Sequence, residues 1–241
     1  MTIDGKTVLV TGGNRGIGQA LVQEALRRGA KRVYAGTRQP LAHPDPRVMS
    51  VTLDVTDQGQ IEAAVETVDS LDVLINNAGV ALYDDLSDRA ALEQSLAVNL
   101  FGPWAVTQAF LPLLNESRGA VVNNVSMMAL APLPITPAYA VSKAAAFNMT
   151  QSLRALLAGR GVTVHAVLTG PTDTDMTRGF EIAKATPESV ARAILDGVEA
   201  AEEDIFPDPM SASLADSWRG GAVKAFERES AAIVQAEPVA A

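Results

Sequence analysis

A tyrosine and a lysine one helical turn apart are the residues of this sequence best suited to acid–base chemistry. Tyr139 and Lys143 begin a predicted helix at a spacing of i, i+4, so their side chains share one face. A phenol with a pKa of about 10 is a poor acid or base at neutral pH, but a nearby ammonium favours the phenolate. Ser126 follows a predicted strand, where its hydroxyl could hold a substrate oxygen beside Tyr139. A Tyr-x-x-x-Lys spacing alone is mostly structural, so its interpretation depends on the motifs around it.

A glycine-rich loop offers a second kind of chemistry, the binding of phosphate. The segment Thr-Gly-Gly-Asn-Arg-Gly-Ile-Gly at residues 11–18 lies directly between the first predicted strand and the first predicted helix. Glycines there permit a tight turn and a close approach of the backbone to a pyrophosphate, and the helix N-terminus supplies free N–H groups. The pattern predicts a dinucleotide site, with a plain glycine turn as the alternative.

Arg38 indicates which dinucleotide. It stands 20 residues after Gly18, at the end of the second predicted strand, and residues 31–44 contain no Asp or Glu. Folds that bind NAD usually have an acid near this point, which grips the ribose 2′-hydroxyl. A guanidinium instead pairs with a 2′-phosphate, and Arg15 can reach the same side. The sequence therefore predicts NADP(H) over NAD(H), unless Arg38 is only a solvated surface residue.

The elements that must position these residues alternate between strands and helices. Apolar runs predict strands at 7–11, 31–37, 48–53, 71–75, 120–125, 162–168 and 204–206. Helical spacing predicts helices at about 17–28, 57–68, 90–114, 138–158 and 186–200, with an irregularity at Gly102-Pro103. Alternation of this kind predicts an α/β protein: a single-domain Rossmann fold with a doubly wound parallel sheet of about seven strands flanked by helices. We expect the domain to span residues 1–229 and a C-terminal tail, mobile or in contact with a subunit, to span 230–241.

Composition excludes several other classes of protein. The 241 residues include no cysteine and two histidines, so there is no disulfide, no thiolate catalyst and no expected metal site. A formal net charge of -9 argues against a nucleic-acid partner, and 12 acids against 5 bases in residues 181–241 account for most of it. The N-terminus lacks the pattern of a signal peptide, and no run approaches a membrane span. We expect a cytoplasmic protein without a membrane partner.

The motifs together identify a family. The chain resembles the short-chain dehydrogenase/reductase family from about residue 5 to residue 210. The matching features stand in the family's order: the glycine loop, Asp54-Val55, Asn76-Asn77-Ala78-Gly79, Asn99, Ser126, Tyr139 with Lys143, and Gly170-Pro171 with Thr174. Thr169 replaces a common proline and Thr172 a common β-branched apolar residue, which affects the expected geometry around the cofactor carboxamide.

The resemblance implies a role for each matching residue. Tyr139 would be the general acid in reduction and the base in the reverse reaction, Ser126 would orient the carbonyl, Lys143 would lower the pKa of Tyr139 and bind the nicotinamide ribose, and Asn99 would hold a relay water. Asp54 and Val55 would contact the adenine. The remaining predicted cofactor contacts are Gly12, Asn14, Arg15, Gly16, Ile17, Gly18, Arg38, Asn77, Ala78, Gly79, Gly170, Thr172 and Thr174. The resemblance also implies a homotetramer or homodimer packed through the helices at 90–114 and 138–158.

The residues predicted to surround the substrate indicate its chemical class. Predicted lining residues are mostly apolar and include Met127, Met128, Leu130, Pro134, Ile135, Tyr83, Met176 and Phe180, although methionines also fill cores. Residues 127–138 contain no Lys or Arg, so we expect a small or medium apolar ketone or aldehyde reduced by NADPH. Two alternatives are an epimerase or lyase that uses bound NADP(H) and a catalytically silent NADP(H) sensor. His165, inside a predicted strand, is interpreted as structural.

Overall fold

The computed structural model describes residues 1–236, which are organised around one parallel sheet. Its seven strands are β1 Thr7–Thr11, β2 Arg32–Thr37, β3 Val48–Thr52, β4 Val73–Asn76, β5 Ala120–Asn124, β6 Thr163–Val167 and β7 Asp204–Ile205. The sheet order is β3-β2-β1-β4-β5-β6-β7, and every neighbouring pair is parallel. This is the predicted doubly wound Rossmann fold.

The strand order reverses between β1 and β4, and this is where the fold opens a crevice. The chain runs outward from β1 to β3 and then returns to pair β4 with β1, aligning Val10 with Ile75. Crossovers leaving in opposite directions separate at such a point, so ligands bind beyond the carboxyl ends of the two strands. The glycine loop follows β1 and the Asn76–Gly79 turn follows β4, so the fold brings both predicted cofactor segments to this crevice.

Helices cover both faces of the sheet. They are α1 Gly16–Arg27, α2 Gln58–Thr67, α3 Arg89–Leu96, α4 Gly102–Ser117, α5 Pro137–Ala158, α6 Pro187–Glu199, α7 Pro209–Arg219 and α8 Ala222–Ala236. In β1, Val8 and Val10 point to the core shared with α1 and α6, whereas Leu9 points to the core shared with α2, α4 and α5. Because both faces are buried, the strands contain continuous apolar runs instead of alternating with polar residues.

A π-helical turn, Ala97–Phe101, joins α3 to α4. The predicted irregularity at Gly102-Pro103 therefore lies at its C-terminal edge, where the ring of Pro103 occupies the first turn of α4. Such wide turns insert one residue into a helix and re-aim the side chains on either side. Here the turn carries Asn99, which is 1% exposed, towards the active-site end of α5.

Two helices at the C-terminal end of the described residues were not predicted. Asp208 caps α7 by accepting from the N–H groups of Met210 and Ser211, and α8 follows after a two-glycine break. The expected boundary between domain and tail at residue 229 falls inside α8, so residues 230–236 continue a helix. The rest of the predicted tail, 237–241, lies outside the described residues.

The helical stretch Arg89–Ser117 is long and apolar enough to cross a membrane by length and composition alone. Its most apolar 18-residue window has a mean hydropathy of 1.2 and is 33% buried. Helices that pack in a protein core meet the same criterion, and Val106, Phe110 and Leu114 of this stretch are fully buried against the sheet.

Candidate active site

Tyr139, Lys143 and Ser126 meet at the carboxyl end of β5. Tyr139 lies in the first turn of α5, and the Lys143 Nζ is 5.6 Å from the centre of its ring. Ser126 stands two residues beyond β5, where its Oγ donates to the Thr169 carbonyl at 3.3 Å and accepts from the Met128 N–H at 3.1 Å. The donated bond is long for a hydroxyl, so a substrate oxygen can replace it.

Burial controls the ionisation of the Tyr139–Lys143 pair in this structure. It lowers the pKa of Lys143 to about 8 because the ammonium has lost solvent. It raises the pKa of Tyr139, and the Ser126 hydroxyl only partly opposes that effect. The expected lowering of the Tyr139 pKa by Lys143 is therefore absent here, where the phenol keeps its proton at neutral pH. A protonated phenol is the form that donates to a carbonyl oxygen.

The Asn99 side chain makes three hydrogen bonds to other parts of the protein. Its Oδ1 accepts from the Val80 N–H at 3.0 Å, and its Nδ2 donates to the Val80 carbonyl at 2.9 Å and to the Ser142 Oγ at 2.9 Å. These bonds join the π-turn to the loop after β4 and to the catalytic helix. The predicted role of Asn99 in holding a relay water stays a prediction.

Asp84 supports α5 from the loop after β4. Thr136, the N-cap residue, provides no side-chain cap, and both carboxylate oxygens of Asp84 instead accept from the Ala138 N–H at 3.3 and 3.2 Å. A carboxylate also complements the positive end of the helix dipole. Sequence analysis missed this contact because the partners are 54 residues apart.

The glycine loop has the shape that a pyrophosphate requires. Gly12 and Gly16 have φ values of +68° and +52°, and a Cβ on Gly18 would lie 2.0 Å from the Gly12 carbonyl oxygen. Helix α1 has no side-chain cap and no acid in its first turn, so its N–H groups remain available to an anion. The predicted contacts Asn14 and Ile17 lie in this same loop and first turn.

Both arginines that are predicted to contact a 2′-phosphate are exposed. Arg38 is exposed directly after β2, and its charge helps to lower the pKa of Asp54, after the larger effect of the Thr56 N–H bond. Arg15 is also exposed, with one long ion pair to Asp175 at 3.5 Å. Two guanidinium groups and no acid at the end of β2 suit a 2′-phosphate.

The turn after β4 is held against the glycine loop by Thr11. Its Oγ1 accepts from the N–H groups of Asn77 and Ala78 at 2.9 and 3.0 Å. The Asn77 Nδ2 donates to the Thr11 carbonyl at 3.1 Å. These bonds fix Asn77 and Ala78, two of the residues predicted to contact the ribose, beside the glycine loop.

The segment after β6 is fixed by a residue that sequence analysis did not single out. Asp208 accepts from the Gly170 N–H at 2.6 Å while capping α7, and a Cβ on Gly170 would lie 2.3 Å from the Asp208 Oδ1. Thr172 is 3% exposed and pairs with Ala185, which closes the base of a short lid segment, residues 173–184. The Asp208-Pro209 pair, an N-cap followed by a first-turn proline, was the available signal.

The predicted substrate residues lie in the turn after β5, before α5 and in the lid segment. Met127 and Met128 form a short 3₁₀ turn, whereas Ile135 and Met176 are 43% and 46% exposed. Phe180 of the lid segment stacks on Tyr83, with ring centres 6.1 Å apart. These side chains are mostly apolar and several are exposed, and their predicted role in lining the substrate site stays a prediction.

Comparison with known proteins decides the family. A family model described as short chain dehydrogenase matches residues 6–184. The chain belongs to the short-chain dehydrogenase family. The predicted resemblance and fold class are both confirmed.

Relatives of this short-chain dehydrogenase come from several organisms. A 2-(S)-hydroxypropyl-CoM dehydrogenase 3 of Xanthobacter autotrophicus is 34% identical over 205 residues, which cover 78% of this chain and 80% of that protein. A sorbitol dehydrogenase of Cereibacter sphaeroides is 32% identical and covers 80% of each. A short chain dehydrogenase from Burkholderia cenocepacia, solved in complex with NADP, is 34% identical with a TM-score of 0.87, over 95% of this chain and 98% of the other.

As a member of this family, the protein is an oxidoreductase acting on CH–OH and C=O groups. His165 of this short-chain dehydrogenase is 2% exposed and bonds the Glu202 carbonyl and Thr163, as a structural residue would. Burial lowers its pKa, so it stays neutral. Within residues 1–236, no cluster of side chains suited to a metal ion is found.

Proposed function

We propose that this short-chain dehydrogenase is an NADPH-dependent carbonyl reductase that acts on small or medium, mostly apolar ketones and aldehydes. The observation that carries the proposal is that Ser126, Tyr139 and Lys143 lie together, in a fold whose glycine loop has a geometry suited to phosphate binding. The apolar, partly exposed side chains of the predicted lining residues, among them Ile135 and Met176, support the substrate class.

The choice of NADP(H) rests on charge. Arg15 and Arg38 are both exposed, and β2 ends without an acid. The similar Burkholderia protein was solved with NADP, which supports the same choice here. The glycine loop would hold the pyrophosphate, Asp54 and Val55 the adenine, and Asn77 to Gly79 the ribose.

The chemistry of reduction divides between the cofactor and the protein. When bound, NADPH supplies the hydride to the carbonyl carbon. Ser126 donates a hydrogen bond to the carbonyl oxygen, and Tyr139 transfers its phenolic proton to that oxygen as the C=O bond becomes C–OH. The Lys143 ammonium stabilises the phenolate that remains until Tyr139 regains a proton from solvent.

The direct test is a panel of ketones and aldehydes followed by the loss of reduced-nicotinamide absorbance, with the alcohols run in reverse. We expect turnover with NADPH and a lower kcat/KM with NADH. Conversion of substrate without net NADPH loss would indicate the epimerase or lyase alternative. NADPH binding without turnover of any compound would indicate a silent sensor.

Cofactor selectivity has its own variant. We expect Arg38→Ala to raise the KM for NADPH about tenfold or more, since a charge-assisted pair is lost, while the KM for NADH stays nearly unchanged. Arg89→Ala, at an exposed arginine that pairs with Glu93 on α3, is the matched control. Equal effects of Arg38→Ala on both cofactors would contradict the proposed 2′-phosphate contact.

Assembly as a homotetramer or homodimer and a cytoplasmic location belong to the same proposal. Phe101 at the end of the π-turn and Trp104 on α4 are 58% and 50% exposed, and Val141 and Leu156 on α5 are 45% and 49% exposed. Large apolar side chains exposed on neighbouring helices mark a surface for association. A second copy of this chain is the proposed occupant of that surface.

A further inference from the structure

Asn124, the last residue of β5, has both ends of its side chain bonded to segments that surround the cofactor crevice. Its Nδ2 donates to the Asn77 Oδ1 at 3.0 Å, and its Oδ1 accepts from the Thr169 Oγ1 at 2.6 Å. A side-chain amide has one donor end and one acceptor end, so these two partners fix its orientation.

The backbone of Asn124 contacts the catalytic helix as well. Its carbonyl oxygen accepts from the Lys143 Nζ at 2.8 Å. Lys143 is 5% exposed, and a buried ammonium is held where its acceptors point. The direction of this carbonyl therefore sets the position of the Lys143 charge.

The partners of Asn124 extend the chain of hydrogen bonds in both directions. On one side, Asn77 reaches the Thr11 carbonyl of the glycine loop at 3.1 Å. On the other, the Thr169 carbonyl accepts from the Ser126 Oγ and from the Met127 N–H. One continuous network of hydrogen bonds thus joins the glycine loop, Lys143 and the Thr169 carbonyl that accepts from Ser126.

The preceding residue of β5 makes similar bonds on the opposite face of the sheet. The Asn123 Nδ2 donates to the Thr150 Oγ1 at 2.9 Å, and its Oδ1 accepts from the Asn76 Nδ2 at 2.8 Å. These bonds are buried and do not contact Lys143, Ser126 or the glycine loop. They provide an internal comparison between a network that only stabilises the sheet and one that reaches the site.

We propose that Asn124 and Thr169 are positioning residues. They hold the Asn76–Gly79 turn, Lys143 and Ser126 in fixed positions relative to one another. Asn124 acts through its carbonyl on Lys143 and through its amide on Asn77, and Thr169 acts through its carbonyl on Ser126. Thr169, which stands where the family commonly has proline, supplies the hydroxyl that completes the chain. This inference rests on the proposed function for its kinetic consequence.

The variants are chosen to cut the network at defined bonds. Asn124→Leu keeps the size but leaves the Asn77 Oδ1 and the Thr169 Oγ1 without partners. Thr169→Val removes only the hydrogen bond from the Thr169 hydroxyl to the Asn124 Oδ1, and Thr169→Ser keeps that hydroxyl. Thr150→Val is the control on the other face, where it removes the buried bond from Asn123 and the Thr150 bond to the Ala146 carbonyl.

Kinetic constants, the Kd for NADPH from fluorescence titration and the melting temperature are measured for each variant. For Asn124→Leu we expect kcat to fall about tenfold or more and the Kd for NADPH to rise about threefold or more, with substrate KM nearly unchanged. The kcat and the Kd for NADPH of Thr169→Val should lie between those of Asn124→Leu and the wild type. In Thr169→Ser both values should return most of the way to those of the wild type. Thr150→Val should lower the melting temperature and leave kcat and the Kd unchanged.

Two outcomes overturn the inference. One is that Asn124→Leu and Thr150→Val lower the melting temperature alike while kcat and the Kd for NADPH stay within about twofold of wild type. The other is that Thr169→Ser behaves like Thr169→Val, and this pair decides the matter if Asn124→Leu does not fold. Failure of the wild type to turn over any carbonyl would count against the proposed function, and the NADPH Kd values would still test the network.

Discussion

At the scale of single residues, the site depends on how little water reaches Tyr139 and Lys143. The phenol keeps its proton and the ammonium has a depressed pKa, both because of burial. Reduction needs the proton on Tyr139, so this ionisation favours reduction at neutral pH. Oxidation of an alcohol needs that proton removed, and we expect it to become faster as pH rises into the alkaline range.

Tyr139→Phe tests the proton donor. The variant lacks only the hydroxyl, so we expect carbonyl reduction to fall about 10²- to 10⁴-fold with a nearly unchanged Kd for NADPH. Tyr34→Phe removes a hydroxyl from the buried part of β2 and serves as the control. Intact carbonyl reduction in Tyr139→Phe would contradict the mechanism.

Lys143→Met tests the buried ammonium through the pH dependence of folding. Lys143 has a pKa of about 8 in the folded chain and 10.5 as its ordinary value. Between these values the unfolded chain binds the proton that the folded chain has lost, so the Lys143 contribution to stability rises with pH. Urea titrations at several pH values should show the wild type gaining about 3 kcal/mol on the variant across this window.

Below pH 8 the ammonium is charged in both states, and the difference between wild type and Lys143→Met should be flat. The raised pKa of Tyr139 acts in the opposite sense above pH 10, but it is present in both proteins. A difference that stays flat throughout would mean that Lys143 is better solvated than its burial indicates.

At the scale of elements, α8 is attached to the rest of the fold by buried charges. Lys224 is 1% exposed, and its Nζ lies 2.6 Å from Asp204, 3.0 Å from Glu203 and 2.9 Å from Glu227. Arg154 of α5 also pairs with Asp204, at 2.8 Å. Burial alone raises the pKa of Asp204, but these two cations outweigh it and the pKa is lowered. The network joins α5, β7 and α8.

Lys224→Met measures the strength of that attachment. The variant keeps the apolar stem but leaves buried carboxylates short of a cation, so we expect the free energy of unfolding to fall by about 3 kcal/mol. Arg228→Met, which removes an exposed pair with Glu203, should cost less than about 1 kcal/mol. Similar losses in the two variants by urea denaturation would show that burial does not strengthen the Lys224 contacts.

The elements also show where sequence reasoning succeeded and where it failed. The strands and the first five helical regions follow hydrophobic periodicity, and their predicted ends lie close to the observed ones. Helix α8 was not predicted because one of its buried positions is a lysine, Lys224. A lysine is read as an exposed residue in a hydrophobic pattern. The π-turn was missed because its signal, an irregular spacing around Asn99, is indistinguishable in sequence from a proline kink.

The candidate site was predictable in type but not in its connections. Tyr139, Lys143 and Ser126 were found because local spacing and the ends of strands place them. Asn124, Asp84 and Asp208 were not found, since each acts on a residue at least 38 positions away. Contacts of that range depend on the sheet order, which a sequence pattern does not contain.

At the scale of the whole molecule, the proposed subunit surface includes α5, the helix that also carries Tyr139 and Lys143. Helix α5 presents Tyr139 and Lys143 to the crevice and Val141 and Leu156 to the exterior. Association through α4 and α5 would therefore restrict the motion of α5 by contacts on its exterior face.

Trp104→Glu tests this surface. A charge in a buried apolar contact is costly, so we expect the wild type to be a dimer or tetramer by light scattering and the variant to be smaller. Phe226→Glu on α8, where the side chain is 69% exposed, is the comparison and should leave the mass unchanged. A monomeric wild type would refute the proposed assembly.

The strand order has a consequence for how the chain is made. Starting from β1, each new strand joins an existing edge: first β2 and β3 on one side, then β4, β5, β6 and β7 on the other. No strand has to insert between two that are already paired, so the sheet can grow in the direction of synthesis as the chain leaves the ribosome. Lys224 emerges after all seven strands, and its arrival neutralises Asp204 on the last of them. The C-terminal helix thereby completes an edge that would otherwise be left with a buried, partly unpaired charge.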